Sequence, residues 1–162
     1  MSAEDPFGDA PAAEFDGGTI PVMKLKDPEP GNGLQMRFSL DDIPKMDLLG
    51  KSDPQLLVFL MDHDEHWILY GKTEWQKDKT SAVFDTPVTI PIDDEFKEVK
   101  IQAWDLDKFK PDQIDVMSNH DLIGTVTINI RKLVDKPEYS TALYNSKLSG
   151  DAGQLTISST RV

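Results

Sequence analysis

Leu34-Gln35-Met36-Arg37-Phe38-Ser39-Leu40 places a large apolar side chain at every second position. Side chains along a strand alternate between its two faces, so this segment has one apolar and one polar face. A strand of that kind belongs in an antiparallel sheet. Residues 55–61, 67–75, 83–92, 99–104, 122–130, 139–144 and 154–159 read as further short strands, with turn residues between them. The sum, about eight strands, predicts an all-β fold, an eight-stranded antiparallel Greek-key sandwich. Pro44, Pro54, Pro87, Pro91, Pro111 and Pro137 fall at strand ends or in loops, as the missing N–H requires. Only residues 94–98 and 130–134 have room for a turn of helix.

Working outward, residues 1–33 differ from the rest. They hold five prolines and seven acids against two lysines, a net of −5. We expect an acidic, Pro/Gly-rich tail that is largely disordered, followed by one domain over residues 34–162. Thr19 to Lys26 alternates enough for an extra strand. The whole chain, 162 residues with 38% apolar, suffices for a single core. It has no cysteine, which removes disulfides, thiolate metal sites and thiol nucleophiles, and which fits a reducing, cytoplasmic compartment. Met1 to Asp9 carries no apolar run, so no secretory leader is expected. No stretch approaches the roughly 20 apolar residues of a membrane span. Membrane contact, if any, is expected to be peripheral. A net charge of −12 repels nucleic acid and anionic lipid unless a cation intervenes.

The acids are unevenly placed. Asp47 and Asp53 lie six apart in the loop that follows the first strand. Asp105 and Asp107 lie two apart where a strand ends, and so can point the same way. Asp121 opens the next strand. Five carboxylates from two loops at one end of a sandwich would form a cage of hard oxygens. Calcium takes six to eight such ligands in irregular geometry, whereas magnesium wants a tight octahedron and zinc prefers nitrogen and sulfur.

Lys51-Ser52-Asp53-Pro54 and Asp121-Leu122-Ile123-Gly124, in this order and separation, resemble the calcium-binding C2 domains. Ser81-Ala82-Val83-Phe84-Asp85 is a weaker third match. The resemblance covers about residues 34–162, and its wording is nearest to copine-like members. It implies a C2 fold. A first strand leading directly into loop one points to the circularly permuted type II topology. It implies calcium as cofactor, as two or three ions, with Asp47, Asp53, Asp105, Asp107 and Asp121 as ligands. Family members place the last aspartate closer to the Asp-x-Asp pair, so Lys108 to Asn119 reads as an insertion. Asp112 or Asp115 could then serve as substitute ligands.

An empty cage of like charges repels itself, and cations turn that end from repelling to attracting for anionic headgroups. The loop rims suit this role. Met46, Leu48 and Leu49 in loop one, and Phe109 in loop three, offer apolar groups to a lipid interface, while Lys108 and Lys110 favour anionic headgroups. The expected function is a calcium-dependent phospholipid-binding module, acting as a monomeric peripheral adaptor on a membrane surface. The alternative is a calcium-independent protein-interaction scaffold. No nucleophile–base pair or phosphate-cradling glycine loop is visible, so no catalysis is expected. Lys72, Lys77 and Lys79 could form a basic face, but Glu74 and Asp78 interrupt it. His63 and His66 among acids have a metal-like spacing and read as a solvated hairpin. Asp5-Pro6-Phe7 resembles a short motif that binds clathrin-adaptor appendages, which gives the tail one route to a protein partner.

Overall fold

The computed structural model describes residues 28–44, 52–61, 63–92, 95–106, 121–148 and 150–162. Thr19 to Lys26 lies outside them. Among the described residues nine strands and one short helix follow in chain order: β1 (Gly33–Asp41), β2 (Pro54–Met61), β3 (Trp67–Lys72), β4 (Ala82–Val83), β5 (Val88–Pro91), β6 (Glu98–Asp105), β7 (Asp121–Asn129), α1 (Ile130–Asp135), β8 (Glu138–Asn145) and β9 (Gly150–Arg161). All pairings are antiparallel. The strand order is β3-β2-β6-β7-β8-β9-β1-β4, with β5 also on β1.

The path folds into two layers. Strands β7 and β8 share the single register pair Thr125↔Tyr144. That thin seam divides a β3-β2-β6-β7 sheet from a β8-β9-β1 sheet edged by β4 and β5. The first strand pairs along its length with the last, from Leu34↔Arg161 to Asp41↔Gln154. It then leads directly into the loop before Asp53. This is the connectivity expected of type II topology.

The alternation read from Leu34 to Leu40 is realised. Leu34, Met36, Phe38 and Leu40 are buried and face the other layer. Leu56, Val58 and Leu60 of β2, Val99, Ile101 and Ala103 of β6, and Leu155 and Ile157 of β9 complete this interior. The intervening residues of β2 are buried as well. Leu57 and Phe59 pack with Leu69, Trp104 and Leu106 in a second cluster on the outer face of the first sheet. This explains the dense apolar run in that strand: both of its faces are covered.

One expected strand is corrected. Residues 83–92 form two edge segments, because β4 ends at Val83 and β5 begins at Val88. Pro87 has no N–H to offer, so the ladder to β1 breaks there and resumes at Met36↔Val88. The described residues therefore hold nine strands where about eight were expected, with two of them sharing one edge position. The turn of helix expected at residues 130–134 is α1, whose first free N–H, that of Arg131, is capped by Asn129 Oδ1 at 2.9 Å.

Gly124 sits where the layers meet. A Cβ built on it would lie 2.8 Å from the Cβ atoms of both Ala152 and Leu143. The glycine of Asp121-Leu122-Ile123-Gly124 thus has a packing reason: only a hydrogen lets β7 approach β8 and β9 this closely.

Candidate functional site

Asp53 precedes β2, Asp105 ends β6 and Asp121 begins β7. The ladders place Pro54 opposite Asp105, and Asp105 opposite Asp121. Neighbouring strands are about 4.8 Å apart, so the three aspartates line up across three adjacent strand ends. Long-range pairing between β2, β6 and β7 brings together residues up to 68 positions apart.

Burial differs along this row. Asp53 is 4% and Asp105 2% exposed, while Asp121 is exposed. Asp53 N–H donates to Asp105 Oδ1 at 2.8 Å, and Leu106 N–H donates to the Asp53 carbonyl at 3.0 Å. Asp53 Oδ1 accepts the N–H of Asp78 at 2.7 Å. Asp78 has φ 55, a left-handed conformation that aspartate tolerates, and this turns its N–H inward. Ser52 ties the same corner, with its Oγ donating to the Pro44 carbonyl at 2.7 Å and its own carbonyl accepting from Lys79 N–H at 2.8 Å. The Ser52-Asp53 pair therefore clamps the start of β2 between the loop after β3 and the end of β6.

Asp47, Asp107, Asp112 and Asp115 lie outside the described residues, as do Met46, Leu48, Leu49, Lys108, Phe109 and Lys110. Among the described residues no group of three histidine, cysteine or acidic side chains is close enough to hold a metal by itself. The donors at this end are carboxylates, which suit a hard cation such as calcium. Taking ionised carboxylates out of water is costly without opposing charge, so a cation at Asp53 and Asp105 would offset that cost.

The lysine face is resolved differently from the expectation. Lys72, Lys77 and Lys79 are exposed, but Glu74 does not sit among them as a competing charge. Its carboxylate accepts the N–H groups of Asp85, at 2.8 Å, and Thr86, at 3.1 Å, and it thereby pins the β4–β5 connection. Burial pushes the Glu74 carboxyl up, yet these backbone donors outweigh it and hold the pKa down at about 2. A carboxyl depressed in the fold adds stability above its unfolded pKa of about 4.3 and loses it as pH falls toward 2. We expect Glu74→Gln to lower stability at pH 7 by about 1 kcal/mol, after allowing for solvent screening, because one backbone N–H loses its acceptor. In thermal melts the gap to the parent should close between pH 4.5 and pH 2; a pH-independent gap would show that the charge plays no part.

Two further features escaped the sequence reading. Lys100, on the outer face of β6, holds its Nζ 4.6 Å from the Trp67 ring centre and 5.5 Å from that of Phe59. Burial lowers its pKa to about 8. Gln55 donates to the Thr73 carbonyl at 2.6 Å, and its buried Oε1 has no hydrogen-bond partner among the described residues. At the opposite end His63 Nε2 meets Glu95 Oε1 at 3.0 Å, both exposed, a contact between the β2–β3 turn and the β5–β6 connection.

Known proteins share this fold. The C2 domain family model matches residues 37–144, which include the second half of the first strand, the Asp53 corner, the β6 end and Asp121. The chain belongs to the C2 domain family. Within it, this C2 domain is 32% identical over 139 residues to Copine-D of Dictyostelium discoideum, covering 83% of the chain and 26% of that protein. It thus spans about a quarter of that relative's length. A single C2 domain of plant extended synaptotagmin 1 superposes with a TM-score of 0.61 at 13% identity, over 83% of this chain and 98% of that one. The calcium-bound pair of C2 domains from extended synaptotagmin 2 gives 0.54 at 16% identity, over 83% of this chain and 47% of that one. At these identities the structural likenesses establish the fold. No helix among the described residues is long and apolar enough to cross a membrane.

Proposed function

We propose that this C2 domain binds calcium at the Asp53–Asp105–Asp121 end and docks there, peripherally, on an anionic phospholipid surface. The observation that carries the reading is the register that aligns those three aspartates on adjacent strand ends. Asp47 and Asp107, with Asp112 or Asp115 as substitutes, complete the proposed ligand set. Bound calcium, as two or three ions, supplies positive charge and open coordination positions for lipid phosphate. The calcium-bound state of extended synaptotagmin 2, whose C2 fold this chain shares, supports the reading. Residues 34–162 form the acting domain, a monomer, and residues 1–33 a tail that offers Asp5-Pro6-Phe7 to a protein partner. The module binds and does not catalyse. Calorimetric titration with calcium, with and without liposomes, tests this directly. No heat in either case would remove the reading.

A second reading rests on one observation. Asp53 and Asp105 each give a carboxylate oxygen to a backbone N–H, so they also serve the fold. A calcium-independent protein scaffold could keep them for that reason alone.

Lipid docking is separable from ion binding. Full burial of an apolar side chain the size of Phe109 or Leu49 contributes about 1.5–3 kcal/mol, and less in a lipid interface. The Phe109→Ala, Leu49→Ala double variant should therefore weaken liposome binding at least about tenfold, since 1.4 kcal/mol is one decade. Its calcium binding without lipid should hardly change, because neither side chain has an oxygen to donate. Co-sedimentation with calcium or chelator decides. A parent that pellets equally well in chelator favours the scaffold.

A further inference from the structure

Strands β6 and β7 each have an aspartate at one end and reach a different surface at the other. Asp105 ends β6, and Lys97 lies just before its first residue; Asp121 begins β7, and Asn129 ends it. At about 3.3 Å per residue the two ends are roughly 25 Å apart. At the far end is a cavity of about 530 Å³, between the approach to β6, the start of α1 and the end of β9. Ile92, Phe96, Ile130 and Val134 form its apolar floor. Ile130 is buried, while the other three are half-buried and open to solvent.

The rest of the lining is Asn129 with three cations, Lys97, Arg131 and Arg161, and among the described residues it contains no carboxylate. The chain as a whole has 29 acids against 17 lysines and arginines, so this grouping runs against its field. All three cations are exposed. Among the described residues no carboxylate forms an ion pair with them. The walls are held by hydrogen bonds independent of any ligand. Ile130 N–H donates to the Lys97 carbonyl at 2.9 Å, and Ile92 N–H to the Asn32 carbonyl at 2.9 Å. Arg161 Nε donates to the Gly31 carbonyl at 3.0 Å. The cavity is therefore preformed, and its size is that of a ligand site.

Its chemistry selects an amphipathic anion. A bare phosphate would leave four apolar side chains wet, and a neutral alkyl group would leave three cations unused. A floor that is half-open to solvent suits a side chain entering from outside, with its neighbours resting on the rim. We propose that this cavity binds a short acidic peptide segment of a partner protein. One large apolar side chain of that segment sits on Ile92, Phe96, Ile130 and Val134, and flanking carboxylates meet Lys97, Arg131 and Arg161. Charge complementarity steers the encounter and fixes the register. The site lies opposite the lipid-docking end of the proposed function, and on that reading the domain can hold a peptide and a membrane together.

The test uses a fluorescein-labelled peptide with one phenylalanine flanked by aspartates and glutamates, read by polarisation in chelator. Chelator makes the outcome independent of the calcium reading. We expect saturable binding that weakens with salt. It should fall at least tenfold when the peptide's phenylalanine is replaced by serine, and be lost when its acids are replaced by lysines. The Lys97→Gln, Arg131→Gln double variant should also lose at least tenfold while its melting temperature stays at that of the parent. Equal binding by that variant, or by the serine peptide, would overturn the proposal. So would displacement of the peptide by phosphatidylserine vesicles in chelator, which would make this end a membrane surface.

Discussion

Asp105→Asn is expected to abolish the calcium-induced rise in melting temperature while leaving the calcium-free protein as stable as the parent, or more so. Asp105 has two roles that the substitution separates. Its Oδ1 accepts the Asp53 N–H at 2.8 Å, and the carbonyl oxygen of asparagine can keep that bond. Its charge lies opposite Asp121 in the ladder and beside Asp53. Two like charges 4 Å apart repel by about 1 kcal/mol in water and about 4 kcal/mol at an effective dielectric of 20, so removing one relieves the empty site. A ligand present at a hundredfold excess over its Kd, and bound only by the folded state, stabilises by about 2.7 kcal/mol. For a domain of this size that is roughly 5–10 °C in the parent. Magnesium should raise the melting temperature far less, because it demands a tighter octahedron. Asp105→Ala should fail in both respects, since it loses the hydrogen bond as well as the charge. A parent whose melting temperature ignores millimolar calcium would end the calcium reading.

Gly124→Ala should be among the most destabilising single changes in the chain. The new Cβ would sit 2.8 Å from the Cβ atoms of Ala152 and Leu143, and 3.4 Å from the backbone nitrogen of Tyr144. A Cβ is fixed by its backbone and has no rotamer by which to escape. The clash must then be relieved by moving β7 away from β8, where the two layers share only the pair Thr125↔Tyr144. Overpacking of this kind costs about 1–3 kcal/mol, and the rigid partners place this site at the upper end. Denaturant melts check it. Because β7 starts at Asp121, calcium affinity should fall together with stability. A Gly124→Ala protein with parental stability would show that the layers can separate without cost.

Much of the architecture is legible along the chain because its cause is local. The alternation from Leu34 to Leu40 forces one buried and one exposed face wherever that segment lies. The continuous apolar run of β2 reports a strand covered on both sides, and prolines punctuate the ends. The aspartates at 53, 105 and 121 stand at strand starts and ends, so strand assignment alone predicts that they can meet. Lys51-Ser52-Asp53-Pro54 and Asp121-Leu122-Ile123-Gly124 carried the family resemblance, and the C2 domain match over residues 37–144 agrees with it.

Other features are set by pairing between distant segments, which a local pattern does not encode. The run from Val83 to Ile92 reads as one strand, yet Pro87 breaks its ladder to β1. Glu74 reads as an acid interrupting a basic face, but the crossing of residues 85 and 86 turns it into a backbone anchor. Lys100 is half-buried because β2 and β3 set Phe59 and Trp67 beside it. The far cavity draws on Ile92, Phe96 and Lys97, on Asn129, Ile130, Arg131 and Val134, and on Arg161, which come together only when β9 has paired with β1 and α1 has closed over the start of β6. Side-chain period and charge spacing are properties of a segment and can be read from it. Which loops meet, and what each polar group finds there, follows from long-range register and burial, and so belongs to the folded chain alone.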